Sequence, residues 1–159
     1  MSDVKTRSMQ EWLDAYGVSH QNPLNKKIHW VCVPLIFWSI VGLLWSIPTP
    51  WSVSYVWLNF ATLAIIPVFF FYARLSISLT IGMMLWCTFC FAVCGIYNEL
   101  VSFSLWQLSI IVFVLAWIGQ FYGHKIEGIK PSFFEDLQFL MIGPAWLMSF
   151  IYNKFRIRY

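Results

Sequence analysis

The chain has 159 residues, of which 60% are hydrophobic and 20% aromatic, whereas only 11% are charged. Its mean hydropathy of +0.69 excludes an ordinary soluble domain, which could not bury so much apolar surface. The net charge of +3 is spread over the boundaries of apolar segments and forms no basic stripe, so nucleic acid is not an expected partner. The composition therefore predicts an integral membrane protein.

The first element expected along the chain is a short amphipathic helix. Ser8 and Glu11 have the spacing of a capping box, which begins a helix. Four apolar side chains then recur along one helical face before Gly17 ends the helix: Met9, Trp12, Leu13 and Tyr16. We expect this helix to lie on the cytoplasmic surface of the membrane.

Three long stretches without a charged side chain follow: 28–72, 75–98 and 100–123. A helix needs roughly 20 apolar residues to cross a bilayer. Pro48 and Pro50 end the first span, Arg74 marks a tight connection, and Asn98 with Glu99 marks the next. We therefore predict four membrane spans, at 29–47, 55–72, 75–97 and 105–121.

A fifth apolar stretch, 137–152, is short for a spanning helix. Gly143 and Pro144 interrupt its middle, so we predict a re-entrant or interfacial helical hairpin there. The chain is then an all-α polytopic membrane bundle that forms one integral-membrane domain. Its expected parts are a cytoplasmic helix with a histidine loop (1–28), the spans (29–121) and a cytoplasmic segment with the hairpin and a basic tail (122–159).

Lysine and arginine residues fix the expected orientation. They lie before the first span, between the second and third, and after the fourth, whereas the other two connections have none. The positive-inside rule therefore places both termini in the cytoplasm, with the protein in a bacterial inner membrane or an endoplasmic reticulum membrane. A full crossing by the fifth stretch would leave three basic residues outside: Lys154, Arg156 and Arg158.

This orientation brings all three histidines to one face of the membrane. Asn25 precedes His29 by four residues and Glu127 follows His124 by three, so each pair can share a helix face. Helical bundles build metal sites from histidine and glutamate at such spacings. The pattern predicts a divalent metal site, suited to iron or zinc, with four donors: His20, His29, His124 and Glu127.

Plainer interpretations of these residues stay open. The histidines could be interfacial side chains at a lysine-rich boundary, without any metal. Cys87, Cys90 and Cys94 share one face of the third span, but no histidine or charge lies near them in sequence. We interpret these cysteines as small apolar packing residues rather than as a thiolate site.

Two sequence blocks resemble one known family. The first block contains Tyr16, His20, Asn22, Pro23, Asn25, His29 and Pro34, and the second is WIGQFYGHKIEGIKPSFFED, residues 117–136. Their order and spacing resemble the membrane family catalogued as domain of unknown function 962. Members of that family include the fungal 2-hydroxy fatty acid dioxygenase of phytosphingosine degradation.

The resemblance implies an iron(II)-dependent α-oxidation. Dioxygen would cleave a 2-hydroxy fatty acid between its first two carbons and leave a fatty acid one carbon shorter. The resemblance implies Fe(2+) as the cofactor and His20, His29 and His124 as the catalytic iron ligands, whereas it does not settle Glu127. The expected partners are the 2-hydroxy fatty acid, dioxygen and the lipid bilayer, and the sequence leaves a homo-oligomer open.

A 2-hydroxy acid can chelate a metal through its carboxylate and its hydroxyl, provided that the metal has open coordination positions. Three amide side chains are candidates for orienting the imidazoles or contacting the substrate: Asn22, Asn25 and Gln120. Three lysines at the same boundary could offset the substrate's charge, although topology alone would also explain them: Lys26, Lys27 and Lys125.

Two other functions remain compatible with the sequence. Three histidines and a water on zinc would also serve a membrane hydrolase that acts on a lipid amide or ester. A non-catalytic membrane scaffold would need no metal, so replacing its histidines would change only its stability. Metal content and reaction products therefore discriminate among the three functions.

Overall fold

The structure is a computed structural model that describes residues 8–50, 57–128 and 139–159. These residues form six α-helices and no strand, which confirms the all-α prediction. The helices are α1 (Met9–Val18), α2 (Pro23–Trp45), α3 (Phe60–Ala73), α4 (Ile77–Leu100), α5 (Leu105–Glu127) and α6 (Ile142–Phe155).

Three of the helices, α2, α4 and α5, are long and apolar enough to cross a membrane. Each has 23 or 24 residues, which exceeds the roughly 20 that a bilayer requires. Helix α3 is apolar but has 14 residues, and residue 55, where we expected the second span to begin, lies outside the described residues. The chain is thus a membrane protein, and a fourth crossing stays a prediction.

Helices α2 and α5 extend beyond the predicted spans at the end where the histidines lie. Helix α2 begins at Pro23 because the Asn22 side chain accepts hydrogen bonds from the backbone N–H groups of Leu24 and Asn25. Helix α5 continues to Glu127, six residues past the predicted end of the fourth span. Hydropathy locates the part of a helix that lies in lipid, whereas capping residues determine where the helix begins and ends.

Helix α1 has the predicted capping box. The Ser8 hydroxyl accepts from the Glu11 backbone N–H at 3.3 Å, and the Glu11 carboxylate accepts from the Ser8 N–H at 2.7 Å. Its apolar face packs against α6, and Tyr16 contacts the rings of Phe139 and Trp146. The face that we expected at a membrane surface is therefore part of the protein core.

Helices α2 and α5 run antiparallel and form the most extensive helix pair in the described structure. Small residues let their backbones approach closely, as is common between membrane helices. Gly42 of α2 faces the Ser109 hydroxyl of α5, and Gly119 of α5 faces the Cys32 sulfur of α2. A methyl group at either glycine would overlap its neighbour, so the spacing of the two helices depends on these glycines.

The interruption predicted at Gly143 and Pro144 is wrong, whereas residues 137 and 138, where the predicted hairpin begins, lie outside the described residues. Residues 139–141 form a turn, and one helix, α6, then runs from Ile142 to Phe155. Gly143 and Pro144 lie in the first turn of α6, where proline breaks no helical hydrogen bond because the first N–H groups have no partner within the helix. The Gly-Pro pair therefore begins a helix and does not interrupt one.

Two tyrosine hydroxyls attach α6 to the rest of the bundle. Tyr72 of α3 donates to the Met141 carbonyl just before α6, and Tyr152 of α6 donates to the Ser78 carbonyl at 2.6 Å. Both tyrosine side chains are buried. These contacts hold the start of α6 against α3 and its last turns against the start of α4.

We predict that Gly42→Ala destabilises the protein by about 1–3 kcal/mol, because the new methyl group overlaps the Ser109 hydroxyl. Thermal unfolding of the detergent-purified protein, followed by tryptophan fluorescence, should show a lower midpoint. Adding Ser109→Ala to the same chain should recover part of the loss.

Gly17→Ala is the matched control, because the nearest atom outside its own helix would lie 3.6 Å from the new methyl group, an ordinary contact distance. An unchanged midpoint for Gly42→Ala would contradict the close packing of α2 on α5.

Candidate metal centre

Three histidines meet at one end of the α2–α5 pair. His20 follows α1, His29 lies in the second turn of α2, and His124 lies in the last turn of α5. Their side chains are 2%, 1% and 5% exposed, respectively. One ring nitrogen from each can be chosen so that all three atoms lie within 4.8 Å of one another. The structure thus places His124 beside two histidines from the N-terminal part of the chain, His20 and His29.

His20 is oriented by the helix that precedes it. Its Nδ1 lies 2.7 Å from the Tyr16 carbonyl oxygen, and its ring stacks on the Tyr16 ring at 4.2 Å between centroids. The Ser19 hydroxyl donates to the same carbonyl. Because a carbonyl oxygen only accepts, Nδ1 of His20 carries the hydrogen and Nε2 keeps its lone pair.

His29 is oriented in the same way by α2. Its Nδ1 donates to the Asn25 carbonyl oxygen at 3.0 Å, one helical turn earlier, which leaves Nε2 with the lone pair. The rings of His20 and His29 meet edge to face at 4.2 Å between centroids, and His124 lies 5.2 Å from His29 by the same measure. The expected pairing of Asn25 with His29 thus involves the Asn25 backbone carbonyl.

Glu127 connects the histidine-bearing segments. Its carboxylate accepts from the backbone N–H groups of Gln21 and Asn22, at 2.6 and 3.0 Å, and from the Asn25 side-chain amide at 2.9 Å. These bonds join the end of α5 to the start of α2 and to the loop that carries His20. Glu127 is not part of the close group of donor atoms, so its role as a fourth metal ligand stays a prediction.

Gly123 of α5 sets the distance between His29 and His124. A methyl group at this position would overlap the side-chain oxygen of Asn25 and would come within 3.5 Å of the His29 ring. Gly119 and Gly123 form a G-x-x-x-G pattern, which is typical of closely packed membrane helices. The helix contact and the histidine cluster therefore depend on the same residues.

The chemistry of the three side chains fits a divalent transition metal. Imidazole nitrogen suits iron and zinc, and metal-binding histidines commonly donate their other ring N–H to a backbone carbonyl, as His20 and His29 do. Ligand nitrogens about 2.1 Å from one ion lie at most about 4.2 Å apart. Atoms that already lie within 4.8 Å of one another need only small ring movements to bind it.

A cavity of about 30 Å³ opens beside His29. Most of its lining is apolar, and Gln120 contributes an amide that is buried and whose Oε1 atom accepts no hydrogen bond from the described residues. Its other lining residues include Tyr16, Trp117 and the start of α6. The cavity therefore offers a mainly apolar space with one polar acceptor next to a histidine.

The remaining predicted site residues lie farther out. Asn22 caps α2 and donates its backbone N–H to Glu127. Lys27 and Lys125 are exposed, Lys26 is half-buried, and none of the three lysines lines the cavity beside His29. Their predicted contact with a substrate carboxylate stays a prediction.

Sequence reasoning did not assign a role at the site to Tyr16 or Trp146. Tyr16 supplies the carbonyl that orients His20, and its spacing of four residues from His20 could have predicted this bond. The Trp146 ring lies 5.4 Å from the His20 ring, centroid to centroid. No local pattern connects Trp146 with His20, because only the packing of α6 brings them together.

We predict that His20→Ala, His29→Ala and His124→Ala each lower the bound metal of the purified protein well below that of the unmodified chain. Each substitution removes one of three nitrogen donors. Elemental mass spectrometry of protein purified in the same detergent measures the effect, and thermal unfolding identifies any variant that has lost its fold. Equal metal content in a folded His29→Ala protein would contradict a metal site here.

We predict that Glu127→Gln weakens metal binding by about 10–100-fold, because it removes the charge that holds Asn25 and the His20 loop in place. Titration of the metal-free protein with iron(II) or zinc measures the shift. Glu99→Gln, an identical change at the exposed end of α4, is the matched control and should bind as the unmodified chain does. Complete loss of binding in Glu127→Gln would indicate a direct ligand instead.

Comparison with known proteins gives one match. The family model described as "Mpo1-like: 2-hydroxy-palmitic acid dioxygenase Mpo1-like" matches residues 6–155, nearly the whole chain and all three histidines. No curated protein and no solved structure matches the chain. Because the match covers both the histidine segments and the helices between them, the chain belongs to the Mpo1-like family.

Proposed function

We propose that this protein is an iron(II)-dependent dioxygenase that cleaves 2-hydroxy fatty acids between C1 and C2. The observation that carries the proposal is the buried group of three histidines beside a mainly apolar cavity. The family description supports dioxygenase chemistry on a 2-hydroxy acid. Three protein ligands would leave coordination positions for other groups, which is what such a reaction requires.

The reaction is balanced without a further reductant. A 2-hydroxy acid and one dioxygen give the acid one carbon shorter, carbon dioxide and water, so the bond between C1 and C2 breaks and dioxygen takes up the four electrons. Bound iron(II) would supply the activation of dioxygen and the redox chemistry. The protein contributes the binding of the substrate, the orientation of its reacting carbons and the exclusion of bulk water.

Each residue of the site has a task in this proposal. His20, His29 and His124 hold the iron, and the carbonyls of Tyr16 and Asn25 fix the ring orientations.

Gln120 accepts a hydrogen bond from the substrate's hydroxyl group, because it lines the cavity beside His29 and its buried Oε1 atom accepts no hydrogen bond from the described residues. The aromatic and aliphatic walls around it exclude bulk water from the reacting carbons.

The proposal also places the histidine site relative to the membrane. The histidine end of α2 and α5 lies at the cytoplasmic face, because basic residues cluster at that end. At this face, the substrate's carboxylate enters the site from the membrane interface while the alkyl tail stays among apolar side chains. Three lysines near the interface offset the charge of the carboxylate: Lys26, Lys27 and Lys125.

The test is a product measurement. Detergent-purified protein, loaded with iron(II) and given dioxygen and 2-hydroxypalmitate labelled at C1, should release labelled carbon dioxide and form unlabelled pentadecanoate. We predict that His29→Ala lowers this turnover by at least about a thousandfold, because the variant lacks a ligand of the metal that carries the chemistry. Mass spectrometry and carbon dioxide trapping quantify the two products.

Glu99→Gln is again the control and should retain full turnover. A folded, iron-loaded protein that forms neither product would overturn the proposal. Hydrolysis of a lipid amide or ester by the zinc-loaded form would then favour the zinc hydrolase.

A further inference from the structure

A second cavity, of about 90 Å³, lies between α2, α3 and α4. It is closed on one side by Leu140 and Met141, which precede α6. This volume is several times what a single water molecule needs. The histidine chemistry described above does not use this cavity.

The lining of this cavity is suited to one chemical class of ligand. Among the residues that the structure describes, its lining side chains are aliphatic or aromatic except for the sulfur-containing Cys87 and Met141, and none carries an N–H or O–H group. Water and polar ligands would therefore find no hydrogen-bonding side chain here. A hydrocarbon chain would meet favourable contacts on every side.

Leu140 connects the two cavities. It lines the cavity beside His29 and also the apolar cavity, so no more than one residue separates them at that point. A leucine side chain can change its rotamer at small cost. A passage between the two cavities would therefore open at Leu140.

One face of α2 also runs along both cavities. Residues at helical spacing line the first cavity at His29, Val33 and Ile36, and the second at Phe37, Ile40, Val41 and Leu44. From His29 to Leu44 the helix rises about 22 Å, at about 1.5 Å per residue. That length is comparable with an extended long-chain acyl group.

We propose that the two cavities form one binding path for the alkyl tail of a long-chain 2-hydroxy acid. The head of the acid lies at His29 and Gln120, and the tail passes Leu140 and ends between α3 and α4. This inference rests on the proposed function for the identity of the head group. It assigns the tail site, and with it chain-length preference, to residues far from the histidines.

Ala64 of α3 is the position from which to test the path. It lines the apolar cavity and is half-buried, so a larger side chain there fills the cavity with less strain on the core than at the fully buried Ala61. Ala64→Phe should block the tail of a long acid and leave room for a short one. Ala92→Phe, the same change at an exposed position of α4, is the matched control.

The first experiment measures binding without turnover. Palmitate with a diazirine at its terminal carbon is photolysed with the purified protein, and the labelled residues are located by mass spectrometry. Label should appear on α3 and α4 at residues of the cavity such as Ile65 and Phe91. It should be lost in Ala64→Phe and retained in Ala92→Phe.

The second experiment measures chain-length preference. In Ala64→Phe, kcat/KM for 2-hydroxypalmitate relative to 2-hydroxydecanoate should fall by about tenfold or more, whereas Ala92→Phe should keep the original ratio. Leu140→Trp is a second variant, which should block the path where the cavities meet, and unchanged metal content shows that its histidine cluster is intact.

The outcomes separate this inference from the proposed function. Label at the cavity that Ala64→Phe removes supports the tail site even if no 2-hydroxy acid is turned over, in which case only the proposed reaction fails. Label confined to lipid-facing residues, or unchanged in both Ala64→Phe and Leu140→Trp, overturns the tail site. A chain-length ratio that neither variant changes overturns it as well.

Discussion

The close antiparallel contact between α2 and α5 is the constraint on which the rest of the structure depends. Gly42, Gly119 and Gly123 allow the two backbones to approach, and a methyl group at any of them would overlap a side chain of the partner helix. Between apolar helices in lipid, such packing is a principal source of association, because lipid tails solvate apolar side chains as well as protein does. The same contact places His29 and His124 side by side.

Backbone carbonyl groups orient two of the three histidines in the cluster. The Tyr16 and Asn25 carbonyls each lie four residues before the histidine that they orient, so short local hydrogen bonds fix the ring tautomers. Glu127 then joins the loop of His20 to the ends of α2 and α5. A site built in this way would be pre-organised for a metal ion, because little conformational freedom is left to lose.

The start of α6 and the turn before it line the two cavities of the bundle. The Tyr72 and Tyr152 hydroxyls attach it to α3 and to the start of α4, and the turn before it presents Leu140 to two cavities at once. The smaller cavity is lined in part by His29 and Gln120, which are polar. The larger cavity is lined by apolar side chains. The arrangement is consistent with the amphiphilic substrate that we propose, whose head requires polar contacts and whose tail requires their absence.

Several features of this protein are determined by local sequence and were predicted from it. They are the membrane character, the helical class and the capping box of α1, because each depends on composition, on adjacent residues or on helical period. The three histidines were predicted to share one membrane face from the number of crossings and the distribution of basic residues, and the structure places them in one group. The contacts of Glu127 with Asn25, of Trp146 with His20 and of Leu140 with two cavities could not be predicted, because each joins segments that no local pattern relates. The helix interruption at Gly143 and Pro144 was predicted wrongly, because these residues indicate a helix boundary without telling whether the helix ends or begins there. Sequence alone determined which donor atoms this protein has and at which end of its helices they lie. Only the tertiary structure decided the distances between these donor atoms, since those distances are set by side-chain packing between helices that are distant in the chain.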